Sequence, residues 1–182
     1  MVTFAAVAMA HHGLVSTVTT ARLSLVRWSD EHLPHLRALA GDERVVRYIL
    51  DGRPWSPEYA TERHRSALDH WDRHGYGWRA VLDSATGEFL GIGSLVNRSP
   101  DTVEIGWWVA PDRWGQGIAT ELAAAVLDEA LAVKGIRRVV AGHQDGNDAS
   151  GRVMIKIGMS HAGSEADPTQ PDRLVHVYVR EV

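Results

Sequence analysis

The chain has 182 residues, 45% hydrophobic and 23% charged, a composition that fits one globular domain and excludes a disordered or low-complexity chain. Its 19 basic and 23 acidic side chains are interspersed and sum to a formal charge of -4, so no polybasic face points to nucleic acid. No stretch approaches the about 20 apolar residues of a membrane span. Cysteine is absent, which removes disulfides, thiolate ligands and a cysteine nucleophile and fits a reducing compartment; the cytoplasm is the expected location.

In chain order, residues 1–20 are apolar but lack a basic leader, and His11 and His12 follow the apolar run at once. They read as an extension rather than a signal peptide, which leaves 21–182 as a single domain. "RLSLVRW" (22–28) alternates Leu23 and Leu25 with Ser24 and Val26, as a strand does. Ser29 or Asp30 then caps a helix through "DEHLPHLRALAG", with Pro34 in its first turn and Gly41 as its stop. A second helix starts at Ser56 and Pro57, runs to about His74 and ends at Gly75.

"YGWRAVLD" and "GEFLGIGSLV" are strand-like runs joined by the turn "SATG". In "TVEIGWWVA", Val103, Ile105, Trp107 and Val109 share one face, and Glu104, Gly106 and Trp108 the other. The turn "PDRWGQG" follows. Ala119, Leu122, Ala123, Val126, Leu127, Ala130 and Leu131 then trace an amphipathic helix closed by Gly135. "IRRVVAGHQ" is a strand, "NDASGRVMIKIG" a short helix, "GSEADPTQPD" a surface loop and "RLVHVYVRE" a last strand.

A strand, a glycine turn and a helix start present free main-chain N–H groups and the positive end of a helix dipole, a combination that attracts phosphate. Gly115 and Gly117 allow close approach, although such glycines also serve packing alone. Thr120 replaces the third glycine of a dinucleotide fingerprint, and no Gly-Lys-Ser/Thr exists for a P-loop. Two familiar phosphate motifs thus fail, which argues against a nicotinamide cofactor.

"EIGWWVAPDRWGQGIATE", followed by "NDASGRVMIKIGM", resembles the GNAT superfamily of N-acetyltransferases, and within it the group similar to ribosomal-protein N-terminal acetyltransferases, over roughly residues 20 to 180. The resemblance implies a GNAT-like α/β fold: a central, mixed, mostly antiparallel sheet of six or seven strands, flanked by helices and splayed where acetyl-CoA enters. Gly117 and Ala119 match the last two fixed positions of the family's pyrophosphate loop, while Trp114 stands where the family has Gln or Arg. It further implies that the N–H groups of Trp114, Gly115, Gln116, Gly117, Ile118, Ala119 and Thr120 hold the pyrophosphate of acetyl-CoA. Val109 would pair with the pantetheine arm, which Asn147 also contacts.

Acetyl transfer to an amine needs a base and a proton for the leaving thiolate. By the same resemblance Glu104 is the expected base and Ser150 the expected group beside the sulfur, in place of the tyrosine common in the family. Two plainer readings stand beside these: Glu104 as a solvated carboxylate, and Asn147 with Ser150 as helix caps. Asp42 or Glu43 is an alternative base. The acceptor is a primary amine, on a protein N-terminus or a small molecule, and a homodimer is compatible with the fold. The other reading is a non-catalytic acyl-CoA-binding module. No metal is expected: His70 and His74 stand four apart but read as a solvated helix face, and His143 as a satisfied sheet histidine.

Overall fold

The computed structural model describes residues 17–182. Most of the extension assigned to 1–20 lies outside the described residues. Its end, Thr17–Thr19, is strand β1, paired antiparallel with β2 (Leu23–Arg27). A single 3-10 turn over Asp30–His32 leads into α1 (Leu33–Ala40), with Pro34 in its first turn and Gly41 closing it through a bond to the Arg37 carbonyl. One further turn, α2 (Glu43–Val46), is capped by Asp42; four residues are too few for a period to betray. In α3 (Pro57–His74) the Ser56 hydroxyl accepts the Tyr59 N–H, and Gly75 ends the helix in the left-handed region, both as the sequence predicts.

Strands β3 (Arg79–Asp83), β4 (Phe89–Ser99) and β5 (Thr102–Val109) form an antiparallel meander. Helix α4 (Ile118–Ala132) crosses to β6 (Arg138–Gln144), which pairs parallel with β5. Then come α5 (Asp148–Lys156), β7 (Ser160–Ala166) and β8 (Leu174–Glu181). The sheet order is β1-β2-β3-β4-β5-β6-β8-β7, and β5–β6 is its parallel pair.

The sheet thus has eight strands rather than six or seven. The two additions are β1 and β7, and both are edges. β7 takes in the first four residues of the segment expected to be loop; "SHAGSEA" has no apolar alternation because almost every side chain in it is exposed. Its strand form comes from pairing with β8 alone.

Apolar residues alternate to both faces. Leu23, Leu25, Val81, Leu95, Val103, Ile105 and Val109 pack under α4 through Leu122 and Val126, while Trp28, Ala80 and Ile92 pack under α1 and α3 through Leu36, Ala67 and Trp71. One polar contact penetrates the first layer. Arg79 Nε and Nη2 donate to Glu129 Oε2 and Oε1, each at 2.6 Å, with side chains only 1% and 3% exposed. This bidentate pair fastens α4 to β3 and lies 5.1 Å from the Trp71 ring. Deleting one partner leaves a buried charge unmatched, so Glu129→Ala is expected to cost about 3–5 kcal/mol, whereas Arg79→Leu with Glu129→Leu recovers most of that. Urea unfolding of the single and double variants measures the difference.

Candidate functional site

β5 and β6 stay paired only from Thr102↔Arg138 to Glu104↔Val140, and beyond Glu104 they part into a fork. β4 continues to pair with the other edge of β5 as far as Val109. The Ala110 N–H donates to the Leu90 carbonyl, so by alternation the main-chain groups of Ile105, Trp107 and Val109 point away from β4, into the fork. The splay expected from sequence is present. Gly91, opposite Val109, has no room for a side chain: a Cβ there would lie 2.1 Å from the Trp108 carbonyl oxygen.

The chain leaves β5 through a 3-10 turn over Pro111–Arg113 and reaches α4 at Gly117. Gly115 (φ 74°) and Gly117 (φ 78°) both adopt the left-handed conformation that glycine tolerates best. Among the described residues, the N–H groups of Gly115, Gln116, Gly117, Ile118, Ala119 and Thr120 have no protein partner, whereas that of Trp114 donates to Pro111. Six free donors at the positive end of a 15-residue helix form a cradle suited to a phosphate oxygen array. The indole N–H of Trp114 donates to the Val109 carbonyl at 2.8 Å, so this side chain braces the turn against the strand end.

A second brace is invisible in the sequence. Arg22, immediately before β2, donates through Nη1 to the Gln116 carbonyl at 2.9 Å and through Nε to Glu121 Oε2 at 2.7 Å. The Arg22 N–H and the Thr20 hydroxyl reach the other oxygen of Glu121 at 2.9 and 2.6 Å. Burial raises the Glu121 carboxyl, but these three donors outweigh it and hold the group below the usual carboxylate value. The partners lie about a hundred positions apart, so no local spacing announces them.

Glu104 stands at the apex of the fork, on the α3 side of the sheet with Trp108. Its Oε2 pairs with Arg98 of β4, and Oε1 has no protein partner among the described residues. Asp42, the alternative base, is committed: the Arg44 side chain and N–H bond to it and hold its carboxyl below the ordinary value. Among the described residues Glu43 makes no such bond. Across the fork, Asn147 caps α5 by accepting the Ser150 N–H, while the Ser150 hydroxyl is unpartnered among the described residues. The capping reading therefore applies to Asn147 and leaves the Ser150 side chain unengaged.

Aromatic rings wall the α3 side: Trp55 meets Trp108 edge-on at 5.1 Å and Tyr59 at 4.9 Å, and the buried Trp55 N–H lacks a protein partner among the described residues. His143 is buried, with Nδ1 3.1 Å from the Gln144 carbonyl and Gly151 of α5 packed on its ring, as a satisfied sheet histidine should be. His70 departs from expectation. It is no solvated surface group: Nδ1–H donates to the Tyr76 carbonyl at 2.9 Å, and Nε2 accepts the Asn97 N–H at 3.0 Å. Among the described residues no group of three metal-binding side chains converges.

A family model for an acetyltransferase (GNAT) domain matches residues 22–160. The chain belongs to the GNAT acetyltransferases. It is 31% identical over 154 residues to the FsC-acetyl coenzyme A-N(2)-transacetylase of Aspergillus fumigatus, covering 80% of this chain and 65% of that protein. It is 34% identical over 126 residues to the phosphinothricin N-acetyltransferase of Streptomyces coelicolor, covering 66% and 71%. A GNAT-family acetyltransferase structure from Bacillus anthracis superposes with a TM-score of 0.79 at 22% identity, over 91% of this chain and 98% of that one. RimL, a ribosomal L7/L12 α-N-protein acetyltransferase solved with coenzyme A, superposes at 0.77 and 20% identity, over 91% and 98%. The expected fold and acyltransferase class both stand, and acetyl transfer from acetyl-CoA is the chemistry the named homologues support.

The His70 geometry has a measurable consequence. Burial, against the opposing pull of the Tyr76 carbonyl, holds its pKa below 6.5. The unfolded chain therefore takes up the proton first, so the contribution of the neutral ring is full above about pH 6.5 and is lost as pH falls below it. Thermal unfolding at pH 7 and pH 5 is expected to show a smaller loss of Tm in His70→Gln than in the parent protein.

Proposed function

We propose that the protein acetylates a primary amine by direct attack on acetyl-CoA bound in the fork, in the cytoplasm, without a metal. The observation that carries this is the coincidence of an opened β5 edge with the donor cradle at the start of α4. Pyrophosphate oxygens accept from the N–H groups of Gly115 to Thr120, with Trp114 bracing the turn. The pantetheine arm lies along β5 as an added strand would, bonding to the Val109 N–H, because the carbonyl already receives the Trp114 indole. The side-chain amide of Asn147 borders the same arm.

The acceptor nitrogen attacks the thioester carbonyl, forming the C–N bond, and the tetrahedral intermediate collapses with cleavage of C–S. The amine proton passes to Glu104 Oε1, directly or through water, and the departing thiolate receives a hydrogen bond from Ser150, with its proton completed by solvent. The fork-facing N–H groups of β5 supply oxyanion donors without reorganisation. A pair of protomers and an acceptor of either kind, peptide N-terminus or small amine, remain compatible with this scheme; nucleic acid and membrane partners have no place in it.

Acetyl-CoA and CoA should each raise the unfolding temperature, because ligand at 100 times Kd adds about 2.7 kcal/mol, while NADH should not. Absence of any shift in a cooperatively folded sample would sink the reading. Gly117→Ala places a side chain in the left-handed region at a cost of about 1–2 kcal/mol and should weaken CoA binding by roughly tenfold in calorimetry. Glu104→Gln should depress turnover more at neutral pH than at high pH, where the amine is already deprotonated; a constant ratio to the parent rejects the base role. For Ser150→Ala, reduced turnover with unchanged CoA affinity is the outcome that fits.

A further inference from the structure

A concavity outside the cofactor cradle opens where the chain after α2 faces the loop between β7 and β8. It encloses about 300 Å³ and is lined by Arg47, Tyr48, Asp145, Gly146 and Arg173. That volume suits a small molecule. Asp145 follows Gln144, the last residue of β6, and Gly146 precedes Asn147, the cap of α5. The pocket therefore adjoins the outer end of the strand that bounds the fork.

Its charges are unevenly committed. The Asp145 carboxylate is engaged by His176 Nε2–H at 2.5 Å, and His176 Nδ1 lies 2.8 Å from the Ser164 hydroxyl. Ser164, His176 and Asp145 thus form a chain of bonds, but Ser164 lies on the exposed edge strand and neither it nor His176 lines the pocket. Neither guanidinium has a carboxylate partner among the described residues. Arg47 rests against the Tyr48 ring at 5.3 Å, and Arg173 is exposed. Two uncommitted cations face one committed anion.

The two loops that carry these arginines are bolted together. The Leu50 carbonyl accepts Gln144 Nε2 at 2.8 Å and Gln170 Nε2 at 2.7 Å. Gln144 Nε2 also donates to Asp167 Oδ2 at 2.5 Å, while the other oxygen of this buried carboxylate accepts the Thr169 N–H, the Thr169 hydroxyl and the Gln170 N–H. Leu50 itself sits at φ 53°, a conformation that costs energy for a side chain of its kind and persists because two amides hold its carbonyl. Arg47 stands three residues before this anchor and Arg173 three residues after Gln170. The backbone segments that carry the two arginines are thereby tied to each other.

We propose that this pocket reads an anionic group on the acceptor, so that the substrate is a small primary amine carrying a carboxylate or comparable anion. Arg47 and Arg173 hold the anion through planar N–H pairs, and the amine extends towards the fork. The proposal rests on the acetyl-transfer reading and adds the substrate class to it.

The test pairs amino acids with their carboxamides and decarboxylated amines, measuring CoA release by the parent protein and by Arg47→Gln, Arg173→Gln and Arg173→Lys. The expected result is a preference of roughly tenfold or more for the carboxylates, expressed in KM. The Gln variants should lose it, Arg173→Lys should restore part of it, and turnover of neutral amines should be unchanged. Equal use of charged and neutral amines, with no effect of either arginine, overturns the proposal and leaves acetyl transfer standing. A changed acetyl-CoA Kd in the Gln variants, with no change in acceptor preference, also overturns it, assigning the arginines to the cofactor's phosphates. Acidic peptides are assayed beside them, and turnover of their N-termini alone overturns the small-molecule assignment. If no amine turns over, calorimetry of the same amino acids with the CoA-loaded protein decides: binding lost in the Gln variants supports the pocket, and absent or unaltered binding refutes it.

Discussion

A sheet that opens along one seam leaves main-chain donors and acceptors without strand partners, and such groups must be matched by something. In this protein the seam lies between β5 and β6, which pair over three residue levels and then separate. The vacated edge of β5 is what an extended, amide-bearing cosubstrate arm can complete. The turn with its free N–H groups follows that strand directly, and the cap of α5 follows the opposite one. Position along two neighbouring strands thus sets a turn of unpaired N–H groups and an unpaired strand edge on one side of the opening and the start of α5 on the other.

The opening is useful only if its rim holds still, and long-range ion pairs provide this. Helix α4 is held at its first turn by Glu121 with Arg22 and Thr20, and further along by the buried bidentate pair of Glu129 with Arg79. The first contact also fastens the Gln116 carbonyl within the glycine turn. Glycine conformations that would fluctuate in a free loop are thereby fixed from three sides: strand β2, the helix itself and the Trp114 indole. The aromatic layer of Trp55, Tyr59 and Trp108 supplies the opposite wall, and the Leu50 anchor ties the outer loops in the same way.

Much of the fold was legible because local chemistry and tertiary position agree. The Ser56–Pro57 start and Gly75 stop of α3, the alternation from Val103 to Val109 and the apolar stripe of α4 all bury what their patterns say they bury. The edges were not legible. β7 carries no periodic signal, since an edge strand exposed on both faces has no reason to alternate, and α2 is too short to show a period. The histidines divide in the same way: His143 is the satisfied sheet residue its strand suggests, but His70 becomes a bridge between Tyr76 and Asn97 only when the loop after α3 and strand β4 meet.

The sequence by itself determined the order of the six inner strands and the four longer helices, the glycine turn and the family likeness, because turn chemistry, capping and apolar period act between residues close along the chain. Tertiary structure alone decided that β5 and β6 part beyond Glu104, that Arg22 grips a turn some ninety residues away, and that Arg47 and Arg173 face one pocket beside Asp145. These depend on contacts between distant segments, whose partners are chosen by the packing of the whole sheet and leave no mark in local spacing.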